Sequence, residues 1–246
     1  MVILGYIRLV LVLLALVLFF IIGLPVGAFV LIAGKFAPEL KERIVYPFVR
    51  FGFRMVRLAA GIRVEVTGRE LIPADRPCLF IGNHRSFFDI VLGYIELPGR
   101  VSPVSKQSVA KVPFLHFWMI QIHSLFLNRD SLEKGLEMVM SACELIKKGN
   151  SILIFPEGTR NREEGTMLPF HGGSFKIATR TGAPIVPITF VHTGDILEDH
   201  FPWIKGRTIR IIFGEPVETK LIAPKDRKQI PEDCRQKILE TYEIYK

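Results

Sequence analysis

Cysteine is scarce in this sequence: Cys78, Cys143 and Cys234 stand far apart, with no C-x-x-C pair among them. That spacing argues against a disulfide scaffold or a structural zinc site and suits a reducing compartment. Internal repeats and low-complexity linkers are also lacking, so one domain plus an appendage accounts for the 246 residues. Charge is missing altogether from Leu9 to Gly34, LVLVLLALVLFFIIGLPVGAFVLIAG. A formal net charge of +8 calls for an anionic partner, either nucleic acid or a membrane surface. No nucleic-acid-binding motif is present, and basic residues border the uncharged run, so a membrane surface is expected and nucleic acid is not.

By length alone the uncharged run qualifies as a transmembrane helix. Gly23-Leu24-Pro25 interrupts it, because proline removes a backbone donor and disfavours helix in the residue before it. The first piece, Leu9 to Ile22, has 14 residues, roughly 21 Å as a helix and short of a hydrocarbon core of about 30 Å. Two short helices meeting at Gly23-Pro25 are therefore expected, entering and leaving one leaflet. A kinked single span is the alternative. No small-x-small cleavage site for a signal peptide is evident. The stretch that follows places Arg43, Arg50, Arg54 and Arg57 at helical spacings among Phe48, Phe51, Phe53 and Met55. It predicts a basic amphipathic helix, kinked at Pro47. Such a helix either lies along an anionic membrane surface or packs on the domain with a solvated face.

Beyond residue 60, apolar runs of strand length alternate with helical patterns. Strands are predicted at Ile62-Val66, Cys78-Ile81, Val101-Val104, Leu125-Leu127, Ser151-Phe155, Ile185-Phe190 and Thr208-Phe213. Helices are predicted near 86–95, 113–122, 131–148 and 173–181, and from Asp226 onward with a break at Pro231. This alternation predicts an α/β fold: a mixed, largely parallel sheet flanked by helices. The boundaries are 1–36 for the membrane-binding helical hairpin and 37–246 for the α/β domain.

Two stretches could carry chemistry. In NHRSFFD, His84 and Asp89 lie five apart, which would turn them about 140° away from each other on one helix. They meet only if a turn separates them. Ser86 and Asp89 also fit the capping-box spacing, so Asp89 could close a helix N-terminus, orient His84 as a general base, or do both. In FPEGTR, Pro156 fixes a turn after a strand, and Gly158 allows close approach of backbone to a ligand. Exposed N–H groups at Gly158 and Thr159 could cradle an oxyanion, and Arg160 offers a planar fork for phosphate oxygens. A plain surface turn with Glu157 paired to Arg160 is the alternative. Lys106 and Arg129 also follow predicted strands, where α/β sheets bind ligands. Pro184 and Pro187 flank a buried run, as in an edge strand or a bulge.

In this order, these blocks resemble the glycerolipid acyltransferases, in particular the bacterial-type 1-acylglycerol-3-phosphate (lysophosphatidate) acyltransferases. N-H-x-x-x-x-D is Asn83, His84 and Asp89; F-x-x-R is Phe126 and Arg129. F-P-E-G-T-R is Phe155 to Arg160, and V-P-I is Val186, Pro187 and Ile188. The resemblance spans about residues 75 to 190. Members often carry glycine where this chain has His123, and lysines where it has His171 and Gly172.

The resemblance implies acyl transfer from acyl-CoA or acyl-carrier protein to the 2-hydroxyl of lysophosphatidate, with His84 and Asp89 as the catalytic pair. It implies acceptor-phosphate contacts by Arg129, Arg160 and Lys106, and an acceptor site that also includes Glu157, Gly158 and Thr159. Val186, Pro187 and Ile188 would lie on the acyl-donor side. No cofactor and no metal are implied, and a monomer at the cytoplasmic face of the inner membrane is expected. Three rivals stand beside this reading: a lipid hydrolase using Ser86, a metal-dependent lipid enzyme, and a non-catalytic membrane adaptor.

Overall fold

The computed structural model describes residues 2–127 and 131–246, so Arg129 lies outside the described residues. The N-terminal run is one continuous helix, α1 (Val2–Phe36), with Pro25 inside it. The expected break at Gly23-Leu24-Pro25 does not occur. Instead the hairpin is made by α1 and α2 (Pro38–Ala59), reversing at Ala37, with Pro38 opening the second helix. Gly34 faces Lys41, Phe19 lies on Gly52 and Arg8 lies over Gly61, so the two helices run antiparallel.

Packing explains why the proline does not end α1. An interior proline costs about 3 kcal/mol, but side chains from the domain grip the helix on both sides of Pro25. A Cβ on Gly23 would sit 3.1 Å from the Trp118 indole nitrogen, and one on Gly27 would sit 3.0 Å from the Phe117 ring. Nearer the N-terminus, the Ile204 N–H donates to the Gly5 carbonyl at 3.2 Å. One face of α1 is thus seated on protein at Gly5, Val12, Gly23, Gly27 and Val30. The other face leaves Leu14, Val17, Ile21, Leu24, Leu31 and Ile32 exposed. At 35 residues it is roughly 52 Å long, and it is long and apolar enough to cross a membrane.

The two readings of the basic helix divide between its residues. Arg50 donates to the carbonyls of Leu97 and Gly99 at 2.9 and 2.6 Å, and Arg57 pairs with Glu96 at 3.3 Å. These two arginines pin α2 to the domain. Arg43 and Arg54 are exposed beside Phe51 and Leu58 and make a mixed basic and apolar outer face. Pro47 lies within α2 without ending it.

Chain order then runs β1 (Arg63–Thr67), β2 (Leu79–Gly82), α3 (Phe87–Glu96), β3 (Val101–Lys106), α4 (Pro113–Gln121), β4 (Leu125–Leu127) and α5 (Leu132–Lys147). It continues with β5 (Ser151–Ile154), α6 (Lys176–Thr181), β6 (Ile185–Val191), β7 (Thr208–Phe213) and α7 (Ile230–Tyr245). Pro231 sits in the first turn of α7 and does not break it. Among the described residues the strands form one sheet ordered β1-β7-β6-β2-β5-β3-β4. Every neighbouring pair is parallel except β6–β7.

β6 is interior, not the edge strand that its prolines suggested. The β7 ladder pairs only Ile188 to Val191, so Pro187 stands just before the stretch where β7 needs N–H donors. Alternation along β2 divides the core. Phe80 joins Leu92, Tyr94, Trp118 and Phe190 under the hairpin, while Leu79 and Ile81 join Cys143, Ile152, Ile177 and Ile238 beneath α5, α6 and α7.

Candidate active site

β2, β5, β3 and β4 lie side by side and parallel, so the segments leaving their C-terminal ends gather on one rim of the sheet. These segments begin at Asn83, Phe155, Gln107 and residue 128, which is where the sequence placed its candidates. The rule that α/β sheets bind ligands at such ends has a geometric basis: parallel strands deliver several loops to one place.

Asn83 starts the turn by letting its side chain continue the sheet. Its amide donates to the Phe190 carbonyl at 2.9 Å, and its oxygen accepts from the Phe190 N–H at 2.8 Å. The side chain thus replaces one rung of the β2–β6 ladder, and the main chain is free to bend. His84 follows, and α3 begins at Phe87 with Ser86 as its N-cap. The Ser86 hydroxyl accepts from the Phe88 N–H at 3.1 Å. Asp89, fully buried in the first turn, sends Oδ2 back across the bend. It accepts from the Ser86 N–H and the Arg85 N–H, both at 2.7 Å, and lies 2.9 Å from His84 Nδ1. The capping reading and the imidazole-orienting reading are therefore the same geometry. Both depend on one oxygen.

The loop after β5 fixes His84 from the other side. Glu157 Oε1 accepts from the His84 N–H at 2.6 Å, and the Asn161 N–H donates to the His84 carbonyl at 2.8 Å. Glu157 Oε2 accepts from the Leu168 N–H at 3.0 Å. Burial pushes the Glu157 carboxyl above its ordinary value, against the pull of those two N–H donors. Its partners are backbone amides, not the Arg160 of the plain-turn alternative, and it braces the turn that carries His84. The His84 ring stacks on Phe155 with centroids 4.4 Å apart, and the side chain is 15% exposed. With Nδ1 turned to Asp89, Nε2 has no hydrogen-bond partner among the described residues. A proton-accepting edge is left open.

Arg85, to which the sequence gave no role, is a buried anchor. It donates to Glu164 at 2.8 Å, to the Asn161 carbonyl at 3.1 Å and to Asp199 at 2.9 Å, tying together the loops after β5 and β6. Burial opposes ionisation of Glu164, but hydrogen bonds from Tyr242 and Arg85 hold its carboxyl below the ordinary value. Burial, with help from Arg207, holds the His192 imidazole below its usual range. Arg85, Glu164, His192 and Tyr242 line a small polar recess together with Asn83 and His84.

Arg160 is half-exposed, its guanidinium 3.7 Å from the centroid of the Phe87 ring and 3.0 Å from Glu198. Its partner is Glu198 and not the Glu157 of the plain-turn reading. Gly158 turns the chain at φ 76, a left-handed conformation that suits glycine. Thr159 is exposed beside it. Lys106 is exposed at the end of β3, opposite Leu127. Val186, Pro187 and Ile188 are buried inside the sheet, in register with Phe80, Ile81 and Gly82, and do not line the recess. His123 adopts φ 55, a left-handed conformation, and its Nε2 meets Glu42 at 2.8 Å. Glu198 and Asp199 were missed by sequence reasoning. The available signal was an acidic pair in the loop after a strand, and β6 ends on the same rim.

Residues 63–191, more than half of the chain, match the sequence profile of the Acyltransferase family. The chloroplastic 1-acyl-sn-glycerol-3-phosphate acyltransferase BAT2 of Brassica napus is 31% identical over 225 residues, covering 83% of this chain and 65% of that protein. The chain therefore spans slightly less than two thirds of that relative. The 1-acyl-sn-glycerol-3-phosphate acyltransferase of Borreliella burgdorferi is 28% identical over 204 residues, covering 83% of this chain and 81% of its own. In fold, the chain is similar to the crystal structure of the 1-acyl-sn-glycerophosphate (LPA) acyltransferase PlsC of Thermotoga maritima. The TM-score is 0.73 at 22% identity, over 96% of this chain and 97% of that one. With His84, Asp89 and the Phe155–Arg160 loop all inside the matched span, this chain belongs to the Acyltransferase family.

Proposed function

We propose that the protein transfers an acyl group from acyl-CoA or acyl-carrier protein to the 2-hydroxyl of 1-acylglycerol 3-phosphate, giving phosphatidate. The names of the relatives supply the substrate class. The observation that carries the chemistry is the 2.9 Å contact between His84 Nδ1 and Asp89 Oδ2, with Nε2 left open. In this mechanism Nδ1–H donates to Asp89, and Nε2 takes the hydroxyl proton as the oxygen attacks the thioester carbonyl. The tetrahedral adduct collapses, the C–S bond breaks, and Nε2–H returns the proton to the leaving sulfur. Ester and free thiol are the products. General-base assistance of this kind contributes about 10²–10⁴ in rate. No enzyme nucleophile is needed, because the thioester is already activated.

Arg160 holds the acceptor phosphate in this reading, with Lys106 and Arg129 as further cations from neighbouring strand ends. The hydrolase reading loses support at Ser86, which is fully buried and whose hydroxyl caps α3 by accepting from the Phe88 N–H at 3.1 Å. The test is release of free CoA thiol from acyl-CoA, with and without lysophosphatidate, in EDTA. Acceptor-dependent release supports acyl transfer. Acceptor-independent release, loss in chelator, or no release would each replace it with one of the three rivals.

The membrane reading follows from α1. Since one face is seated on the domain from Gly5 to Val30, we propose that the helix lies in one leaflet and brings the domain with it. Leaving the bilayer costs a lipid about 0.8 kcal/mol per CH₂, so a site at the leaflet surface spares the acceptor that step. Exposed Arg43 and Arg54 would enrich anionic lipid nearby. Cysteines introduced at positions 4 and 37, in a background without the native three, should react with an impermeant maleimide from one face of sealed vesicles. Labelling from opposite faces would make the protein single-pass.

A further inference from the structure

The loop after β6 carries a carboxylate into the neighbourhood assigned to the acceptor phosphate. Glu198 Oε1 accepts from the Phe87 N–H at 2.8 Å and from Arg160 Nη1 at 3.0 Å, while Oε2 accepts from the Ser86 hydroxyl at 2.6 Å. Its side chain is only 17% exposed. These donors are an arginine, a hydroxyl and a backbone amide in the first turn of α3, the set that phosphate oxygens favour. They come from two separate segments and converge two residues along the chain from His84. Arg160 cannot easily turn elsewhere, because its guanidinium is stacked on Phe87.

We propose that Glu198 is an exchangeable internal anion: it fills the acceptor-phosphate seat in the free enzyme and is displaced by the phosphate monoester of the acceptor. This rests on the reading of Arg160 as a phosphate ligand. The backbone around Glu198 is held, since Asp199 is bound to Arg85 and the Asp199 N–H donates to the Gly194 carbonyl at 3.1 Å. Exchange therefore needs rotation of one side chain, not opening of the loop. A phosphate monoester carries between one and two negative charges near neutral pH and three oxygens, against one charge and two oxygens for the carboxylate. It wins the seat, but by less than it would win an empty one. Substrate and product share that monoester, so Glu198 weakens both to the same degree. Uniformly weaker binding raises KM and speeds departure of the phosphatidate, a gain where product release limits turnover.

Glycerol 3-phosphate is a soluble probe of the seat, read as a competitive inhibitor against lysophosphatidate. Glu198→Gln keeps an oxygen to accept from Phe87 or Ser86 and loses the charge. It should lower the Ki of glycerol 3-phosphate about tenfold, the scale of a charge-assisted hydrogen bond no longer competed for. KM for lysophosphatidate should fall with it. Glu198→Asp, whose arm is one carbon shorter, should move the same way, and it serves if the Gln variant fails to fold by its melting curve. Arg160→Ala in parallel should raise the same Ki. If Arg160→Ala raises Ki but both Glu198 variants raise it or leave it unchanged, Glu198 merely positions Arg160 and the proposal is overturned alone. If Arg160→Ala leaves Ki unchanged, the reading of Arg160 is overturned and the proposal goes with it.

Discussion

Between Asn83 and Asp89 the side chains of Asn83, Arg85, Ser86 and Asp89 all have directional partners, whereas the uncharged stretch of α1 meets the domain through shape. The two regions hold position by different physics. On the rim, hydrogen bonds to buried groups fix orientation, and losing one leaves a desolvated partner behind. In the hairpin, glycine opposite an aromatic ring fixes the approach distance, and an added methyl group has nowhere to go. The difference teaches where each region should break: the rim in turnover, the hairpin in seating and stability.

The largest effect is expected at Asp89. Asp89→Asn keeps one carbonyl oxygen but cannot be relied on to hold Nδ1 protonated, and an amide can favour the wrong imidazole tautomer. Acyl transfer should fall by about 10²–10⁴, similar to His84→Ala, while the protein still sediments with membranes. Near wild-type turnover of Asp89→Asn would leave only the capping role.

A hairpin substitution should invert that pattern. A Cβ on Gly52 would lie 2.5 Å from the Phe19 ring, so Gly52→Val must push α1 away from α2. Overpacking of this kind costs about 1–3 kcal/mol. It should appear as a lower melting temperature and weaker vesicle recovery, with activity toward a short-chain soluble acceptor falling much less. Equal losses with soluble and membrane-borne acceptors would mean that the hairpin shapes the catalytic rim itself.

The smallest effect lies where the rim itself depends on burial. Glu157 has its carboxyl raised by burial, so the folded state holds that proton more tightly than the unfolded chain. Its contribution to stability is full below the unfolded value and is lost as pH rises through the raised folded one. Glu157→Gln should flatten the pH dependence of the melting temperature just above the ordinary carboxylate range. An unchanged profile would mean that the two N–H donors cancel the burial.

Legibility followed the same division. The His84–Asp89 pair could be read because a five-residue spacing admits contact only across a turn, a constraint that needs no knowledge of the rest of the fold. The strand positions were readable because short apolar runs, from Leu125-Leu127 up to Ile185-Phe190, alternate with helical patterns. Pro231 misled because it falls in the first turn of α7, where its missing N–H costs nothing; Pro25 and Pro187 misled in another way, common to both. Their local cost was judged correctly, but neighbours distant in sequence decided the outcome: Trp118 and Phe117 for Pro25, and the end of the β7 ladder for Pro187. Glu157 was placed in the right neighbourhood with the wrong partners, because nothing local reveals that the His84 and Leu168 amides turn toward it. Glu198 was invisible because its partners lie 38 and 112 residues away.

The single oxygen of Asp89 has a consequence for how such a chain can diverge. The lone pairs that hold the imidazole also accept from the amides of Arg85 and Ser86 and so start α3. A mutation that changes the hold on the imidazole therefore also loosens the helix, and one that repairs the helix disturbs the imidazole. Variation is locked at this residue. If Arg160 holds the acceptor as proposed, new acceptor preferences are easier to reach there, at a half-exposed side chain of the same rim that makes none of the hydrogen bonds starting α3.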